Sequence, residues 1–291
     1  MALLGLAERT VELYTHYLEL FASKHGDDAL DKITYTHIVE FSLWAQSLAV
    51  TRSTSVNGAS AAEHAISAAR RLLDTGVRNG FIGMNVAKSV NKPARQESRR
   101  RPLDEAHIAQ MYMVVTDEET GILRFLQETA CRREGMLNLT PQRVNRKNQT
   151  VLLHEKGSKV REQPVSSMMI DWLTEPGCPI YKWTPRKNDG LWSRIQRDLD
   201  WAAEMGVTTH WMRHTTLSKV ERVTRSMGLT AAFAGHKLSG IGATPTYAGR
   251  YGVKEVCWAF SVTFGVPHPL VPDGYVPIGI DYWEPQSTNA A

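Results

Sequence analysis

The amino-acid sequence predicts a mainly α-helical protein in two parts: a helical N-terminal domain, then an α+β domain whose strands form one small sheet. Three observations carry this reading. Apolar residues recur at helical spacing from the N-terminus to about Asn91, with no alternating strand pattern among them. The stretch KSVNKPARQESRRRP, Lys88 to Pro102, breaks that periodicity with two prolines and a run of basic residues. One hairpin pattern, QTVLLHEKGSKVREQPVS, stands alone in a second half that otherwise reads as helical to Phe264.

In the first part, Val11, Tyr14, Leu18 and Phe21 fall near one helix face, and Leu13, Tyr17 and Leu20 widen the stripe. ITYTHIVEFSLWAQSL predicts a second helix with Ile38, Phe41 and Ala45 toward the core. RSTSVNGAS reads as a loop, and AAEHAISAARRLLDTGVRNG as a third helix closing near Gly76 or Gly80. The expected form is a bundle of about four short helices. In the basic stretch, Lys88, Lys92, Arg95, Arg99, Arg100 and Arg101 face a single acid, Glu97. A segment of that kind is ordinarily a solvated tether, and between two domains it also suits a strap against a phosphate backbone. The second part opens at Asp104, a candidate N-cap, with Ile108, Met111, Tyr112 and Val115 at helical spacing. A further helix is expected from Gly121 through LRFLQETACRREGMLNL. The boundaries are 1–93 for the helical domain, 94–102 for the basic linker, 103–264 for the second domain and 265–291 for an extended Pro- and Gly-rich tail.

Composition narrows the function classes. The chain has 291 residues, 42% hydrophobic and 22% charged, as in globular proteins. Its 34 Lys and Arg against 30 Asp and Glu are only mildly basic, so a nucleic-acid reading rests on where the charges lie. Cys131, Cys178 and Cys257 are odd in number and far apart, which fits neither a zinc module nor a disulfide framework and points to a reducing cytosol. No run approaches a signal peptide or a membrane span.

The chemistry concentrates between His210 and Tyr247. In a helix, His210, Arg213 and His214 of HWMRH share a face. An arginine fork stays charged and takes two phosphate oxygens at once. A tyrosine hydroxyl becomes a nucleophile when neighbours take its proton or stabilise its oxyanion. The same two histidines could bind zinc, but a zinc protease needs Glu after the first histidine and Trp211 stands there.

Taken together, ETACRREG, the EKGSK hairpin, HWMRH, AGH and TPTY stand in the order found in the tyrosine recombinases, and the chain resembles that family, the phage-integrase type in particular. The resemblance implies that the first domain is a core-binding, SAM-like helical domain and the second the family's catalytic domain. It implies that Arg132 and Arg213 clamp the scissile phosphate, with Arg133 the neighbouring alternative to Arg132. Lys156, or else Lys159, protonates the departing 5′ oxygen. His210 and His236 assist proton movement, His214 supports them, and Tyr247 is the nucleophile, with Tyr251 its competitor. Lys88, Lys92, Arg95, Arg99, Arg100, Arg101 and Lys159 are the expected DNA contacts. Where the family has an acid three residues after its first arginine this chain has Gly135, with Glu134 the nearest substitute. The loop from His236 to Tyr247 is longer than the family's.

The function so implied is site-specific DNA recombination through a 3′-phosphotyrosyl link and a Holliday junction, by a homotetramer on two double-stranded core attachment sites. It uses neither cofactor nor metal. The expected setting is the cytoplasm of a bacterial host, away from membranes, with an accessory directionality factor as a possible partner. Because the sequence starts almost directly in the helical domain, a short core site is expected rather than one with accessory arms. The tail is expected either to dock on a neighbouring protomer through Tyr275, Tyr282 and Trp283 or to pack on its own domain. Competing readings are a type IB topoisomerase or resolvase-like activity, a non-catalytic DNA-binding homologue, and a zinc hydrolase.

Overall fold

The computed structural model describes residues 3, 5–50, 57–94, 101–155, 159–236, 251–277 and 280, with the Lys159 side chain excepted. The chain divides into two compact units, Met1–Arg99 and Arg100–Ala291.

In the first unit, α1 (Glu8–His25), α2 (Tyr35–Ser47) and α3 (Ala59–Arg78) surround one core. Tyr17 and Phe21 of α1 meet Ile38, Phe41 and Ala45 of α2 and Ala65, Ile66, Ala69 and Leu73 of α3. The run of alanines on α3 is what lets the other two helices approach closely. Thr34 caps α2, accepting from the His37 amide at 3.3 Å while its own amide donates to the His37 ring at 3.4 Å. α3 runs through Gly76 and ends before Gly80, which adopts φ +73°. Three α-helices are present among the described residues, not four: Leu30–Lys32 and Val86–Ser89 are single 3-10 turns. Arg70 ties the second down, donating to Ala87 O within it at 3.0 Å and to Val90 O just past its end at 2.6 Å.

The second unit starts as expected. Asp104 caps α4 (Glu105–Val114) by accepting from the His107 amide at 2.8 Å, and Thr116 with Glu119 boxes the start of α5 (Asp117–Thr129). The predicted continuous helix through RREG is then interrupted. Ala130 takes φ +47°, ψ +31°, a left-handed conformation that costs a non-glycine residue about 1–2 kcal/mol. The cost is offset because the Ala130 carbonyl, freed from the helix, accepts from Arg213 and from Arg161. The chain restarts as α6 (Arg133–Leu137) with Arg132 at its N-cap.

The sheet is antiparallel in the order β1 (Val144–Asn145), β2 (Thr150–Glu155), β3 (Lys159–Pro164), with Val151 opposite Gln163, Leu153 opposite Arg161 and Glu155 opposite Lys159. Alternation sends Val151, Leu153 and Glu155 of β2 inward, while Leu152 is 39% exposed. Helices α7 (Ser167–Thr174), α8 (Pro185–Asp198), α9 (Asp200–Met205), α10 (Thr209–Thr224), α11 (Met227–Phe233) and α12 (Val253–Phe264) complete the unit. One core gathers α4 to α9, the sheet and the start of α10 around Phe125, Leu126, Met136, Leu153 and Trp192. A second joins α10, α11 and α12 through Val220, Leu229, Phe233 and Phe260.

The described part of the tail packs on this second core: Val266, Val271, Tyr275 and Ile280 lie against it. The Tyr275 hydroxyl donates to Glu255 at 2.8 Å, and the Lys254 ammonium sits 3.9 Å from the Tyr275 ring centroid. His268 is buried with Nε2 3.0 Å from the Gln149 carbonyl. Tyr282 and Trp283 lie outside the described residues. No helix among the described residues is long and apolar enough to cross a membrane.

Candidate active site

Two interruptions of helix bring the candidate residues together. The first is the break at Ala130, which sets Arg132 at the start of α6. The second is the end of α11, a Schellman turn in which the His236 amide donates to Ala231 O at 2.8 Å and the Gly235 amide to Ala232 O at 2.9 Å, with Gly235 at φ +64°. That turn delivers His236 to Arg213, whose Nη2 is 3.2 Å from the His236 Nε2 and donates to Ala234 O at 2.7 Å. Arg213 lies in the second turn of α10 and is buried; His210, one turn earlier on the same helix, is exposed. His214 is half-buried, its Nδ1 3.4 Å from the Ser218 hydroxyl. Among the described residues, His210 and His214 have no third metal-ligating side chain converging on them.

At the centre stands a residue that the sequence reading missed. The Glu155 carboxylate, 1% exposed, accepts from the Arg132 amide at 2.7 Å through Oε1 and from Arg132 Nη1 at 2.5 Å through Oε2. Arg161 Nη2 donates to its Oε1 at 3.3 Å, and Arg213 Nη1 is 3.9 Å from the same oxygen. Burial pushes the Glu155 carboxyl up, but Arg161, the Arg132 amide and Arg213 outweigh it and hold the group below the usual carboxylate range. Burial pulls Arg213 down to about 10, reinforced by the charges of Arg161 and Arg132. Arg161 was also missed. It is almost fully buried and its guanidinium braces the site, donating to Phe233 O at 2.6 Å and Thr129 O at 3.1 Å and also bonding Gln163. The available signal was the period of two: Val151 and Leu153 inward put Glu155 inward too.

Beside Arg132 opens a cavity of about 480 Å³, lined by Arg133, Glu134, Asp189, Trp192 and His210. Its floor is ordered by a buried chain in which Trp192 Nε1 donates to the Thr209 hydroxyl at 2.8 Å, which lies 3.1 Å from Asn188 Oδ1.

No protein-family model matches the chain, and no curated protein matches its sequence. Solved structures do match its fold. The Tn1549 transposon integrase in complex with circular-intermediate DNA superposes with a TM-score of 0.61 at 14% identity, over 84% of this chain and 90% of that one. A lambda integrase tetramer bound to a Holliday junction gives 0.62 at 14% identity, over 82% and 75%. The lambda integrase core-site dimer gives 0.60 at 14%, over 80% and 89%. The chain has the tyrosine integrase fold.

Within this integrase fold, Arg132 and not Arg133 joins the arginine cluster: Arg133 turns away to Asp189, with Nη1 3.2 Å from Oδ1, and to Pro185 O. Glu134 does not replace the acid absent at 135; the carboxylate that meets Arg132 comes from β2 as Glu155. Tyr251 is half-buried in the second core with its ring against Gly228, where an added Cβ would lie 3.0 Å away. Tyr247 and Lys156 lie outside the described residues, as do Arg95, Arg99 and Arg100 and the side chain of Lys159. Of the other basic residues, Arg101 is exposed, whereas Lys88 pairs with Asp74 at 2.7 Å and Lys92 with Glu63 at 3.5 Å. A duplex would have to draw those two lysines away from acids of their own unit.

Proposed function

We propose that the chain is a site-specific DNA recombinase of the phage-integrase type. The observation that carries the proposal is the convergence of Arg132 and Arg213 on one buried carboxylate, with His236 against Arg213, in a fold whose solved examples include integrases bound to DNA. A fixed Arg132 guanidinium lining an open cavity, with the buried Arg213 joined to it through Glu155, suits a reaction in which charge builds on phosphate oxygens.

In this reading the Tyr247 hydroxyl attacks the scissile phosphorus in line. The bond to the 5′ oxygen breaks, Lys156 gives that oxygen its proton, and a 3′-phosphotyrosyl link remains. The 5′ hydroxyl of the partner strand later attacks the same phosphorus and expels the tyrosine. The phosphodiester energy is kept in the covalent link, so no nucleotide triphosphate is consumed. His210 and His236 exchange protons with the tyrosine and the phosphate oxygens. Arg132 and Arg213 hold those oxygens and take up their added charge. Pairwise strand exchange through a Holliday junction in a homotetramer completes the cycle, with the helical first unit and the 94–102 segment closing on the duplex.

Denaturing electrophoresis with nicked duplexes from the DNA flanking this chain's own gene tests the proposal. Wild type should leave a covalent protein-DNA band and Tyr247→Phe none. An adduct that survives Tyr247→Phe would move the nucleophile to Tyr251. Wild type that binds the DNA and forms no adduct would refute the catalytic reading. Adducts with relaxation but no junction intermediate on paired sites would instead identify a topoisomerase-like enzyme.

A further inference from the structure

An arginine that holds a phosphate must itself be held. Arg132 is 26% exposed and sits at the N-cap of a five-residue helix, so its own helix contributes little to aiming its four side-chain torsions. The aiming group is Glu155, which grips both ends of the residue, the amide at 2.7 Å and the guanidinium at 2.5 Å. Glu155 reaches this place only by lying across Gly135. A Cβ at position 135 would stand 3.0 Å from Glu155 Cγ and 3.3 Å from its Oε1. The glycine is not required by its backbone, which is helical with no positive φ. What it provides is room for the carboxylate above it, which a Cβ would push aside by a few tenths of an ångström.

We infer that Glu155 is the positioning residue of the Arg132–Arg213 pair, and that positions 135 and 155 are exchangeable as a unit: glycine at 135 with glutamate at 155, or an acid at 135 with a small residue at 155. Residue 135 is the third residue of α6 after the Arg132 N-cap, so an acid there can reach back to the Arg132 amide that Glu155 now holds. With both acids present the two side chains crowd each other and Glu155 is displaced from Arg132. With neither, Arg132 loses its tether and the buried guanidinium of Arg161 loses its counter-charge. The consequence for strand cleavage rests on the recombinase reading above; the consequence for anion binding does not.

The test uses the full chain and inorganic tungstate, a phosphate-sized dianion, titrated by calorimetry, with Arg132→Ala subtracting binding elsewhere. Glu155→Gln raises the net charge by one, so simple electrostatics predicts tighter tungstate binding. Positioning predicts the opposite, a loss of roughly tenfold, the scale of one charge-assisted hydrogen bond. Gly135→Asp alone should lose a similar factor, and Gly135→Asp combined with Glu155→Ala should return to within about threefold of wild type, a coupling that independent sites do not show. The inference is overturned if Glu155→Gln binds tungstate as well as or better than wild type, or if wild type shows no Arg132-dependent binding. A double variant no better than Glu155→Ala overturns it as well, and that comparison decides the matter should Glu155→Gln fail to fold. If the tungstate results hold while wild type forms no adduct on DNA, the recombinase reading falls and the positioning role stands. Where adducts do form, the double variant should restore them together with anion binding.

Discussion

Replacing Gly235 by alanine should destabilise the second unit far more than the same change at Gly265, although both glycines end a helix in the left-handed region, at φ +64° and +67°. The backbone cost is shared, about 1 kcal/mol for a Cβ in that conformation. Around Gly265 no atom of the described residues lies within 4 Å of the new Cβ, so the cost stops there. At Gly235 the Cβ would lie 2.6 Å from Arg161 Cδ. That side chain cannot swing aside freely, because its guanidinium is tied to Phe233 O, Thr129 O and Glu155 at 2.6, 3.1 and 3.3 Å. Giving up even one or two of these buried, charge-assisted bonds adds roughly 2–3 kcal/mol. Urea unfolding followed by tryptophan fluorescence reads the right unit, since of the eight tryptophans only Trp44 lies in the first. The expected order is wild type, then Gly265→Ala lower by about 1 kcal/mol, then Gly235→Ala lower by about 3–4 kcal/mol. If the two variants agree within about 0.5 kcal/mol, Arg161 is not the rigid brace described and the argument for a fixed site fails.

Arg132→Ala should reduce the rate of covalent adduct formation by about a hundredfold or more, the usual scale for removing one fixed donor, while Arg133→Ala stays within a few-fold of wild type; equal losses would return Arg133 to candidacy. Stability against acid should depend on Glu155. Its folded pKa is lowered, so its contribution is complete above the unfolded value of about 4.3 and disappears as pH falls through the folded value. Glu155→Gln should therefore be less stable than wild type at pH 7, with the gap closing below about pH 4 in pH-dependent urea unfolding. Burial lowers the pKa of His268 against the opposing hydrogen bond that its ring makes to the Gln149 carbonyl, so the folded state resists protonation and the unfolded state gains the proton first. Docking of residues 265–277 should weaken as pH falls below about 6.5, seen as faster hydrogen exchange or proteolysis there, and His268→Gln should remove that dependence.

The elements were legible in the sequence wherever local chemistry decides them. Asp104 announces a helix start by type and spacing, Ile38, Phe41 and Ala45 mark the buried face of α2, and the hairpin follows from alternation about a glycine-containing turn. What escaped was set by groups distant in sequence. Nothing local marks Ala130 as a helix end, because the left-handed residue there is not glycine; what stabilises the break is a pair of arginines 31 and 83 residues further on. The same holds for HWMRH, where helical spacing put His210 and Arg213 on one side but could not say that Arg213 would be drawn inward by the carbonyls of Ala130 and Ala234. Lys88 and Lys92 read as free positive charge only because Asp74 and Glu63, their partners, lie on α3. Glu155 was hidden by its residue type, since glutamate at a strand end beside a turn is ordinarily solvent-facing, even though the parity of its neighbours turned it inward.

The charges at the site explain why such a carboxylate is tolerated in its core. Arg132, Arg161 and Arg213 bring three positive charges together and Glu155 returns one negative, leaving a surplus of two. Under the recombinase reading, a phosphodiester carries one negative charge at rest and two at the five-coordinate transition state, so the surplus matches the transition state better than the ground state. Arg161 spends its donors on Phe233 O, Thr129 O and Glu155, and Arg213 spends donors on Ala130 O and Ala234 O, which leaves Arg132, the most exposed of the three, to face the reacting group. Without Glu155 the three guanidinium groups would repel one another in a poorly solvated site. Arg161, whose burial is opposed chiefly by this carboxylate, would lose most. The carboxylate therefore balances the buried brace Arg161 while it aims Arg132, and one buried residue on β2 ties the arginine cluster together.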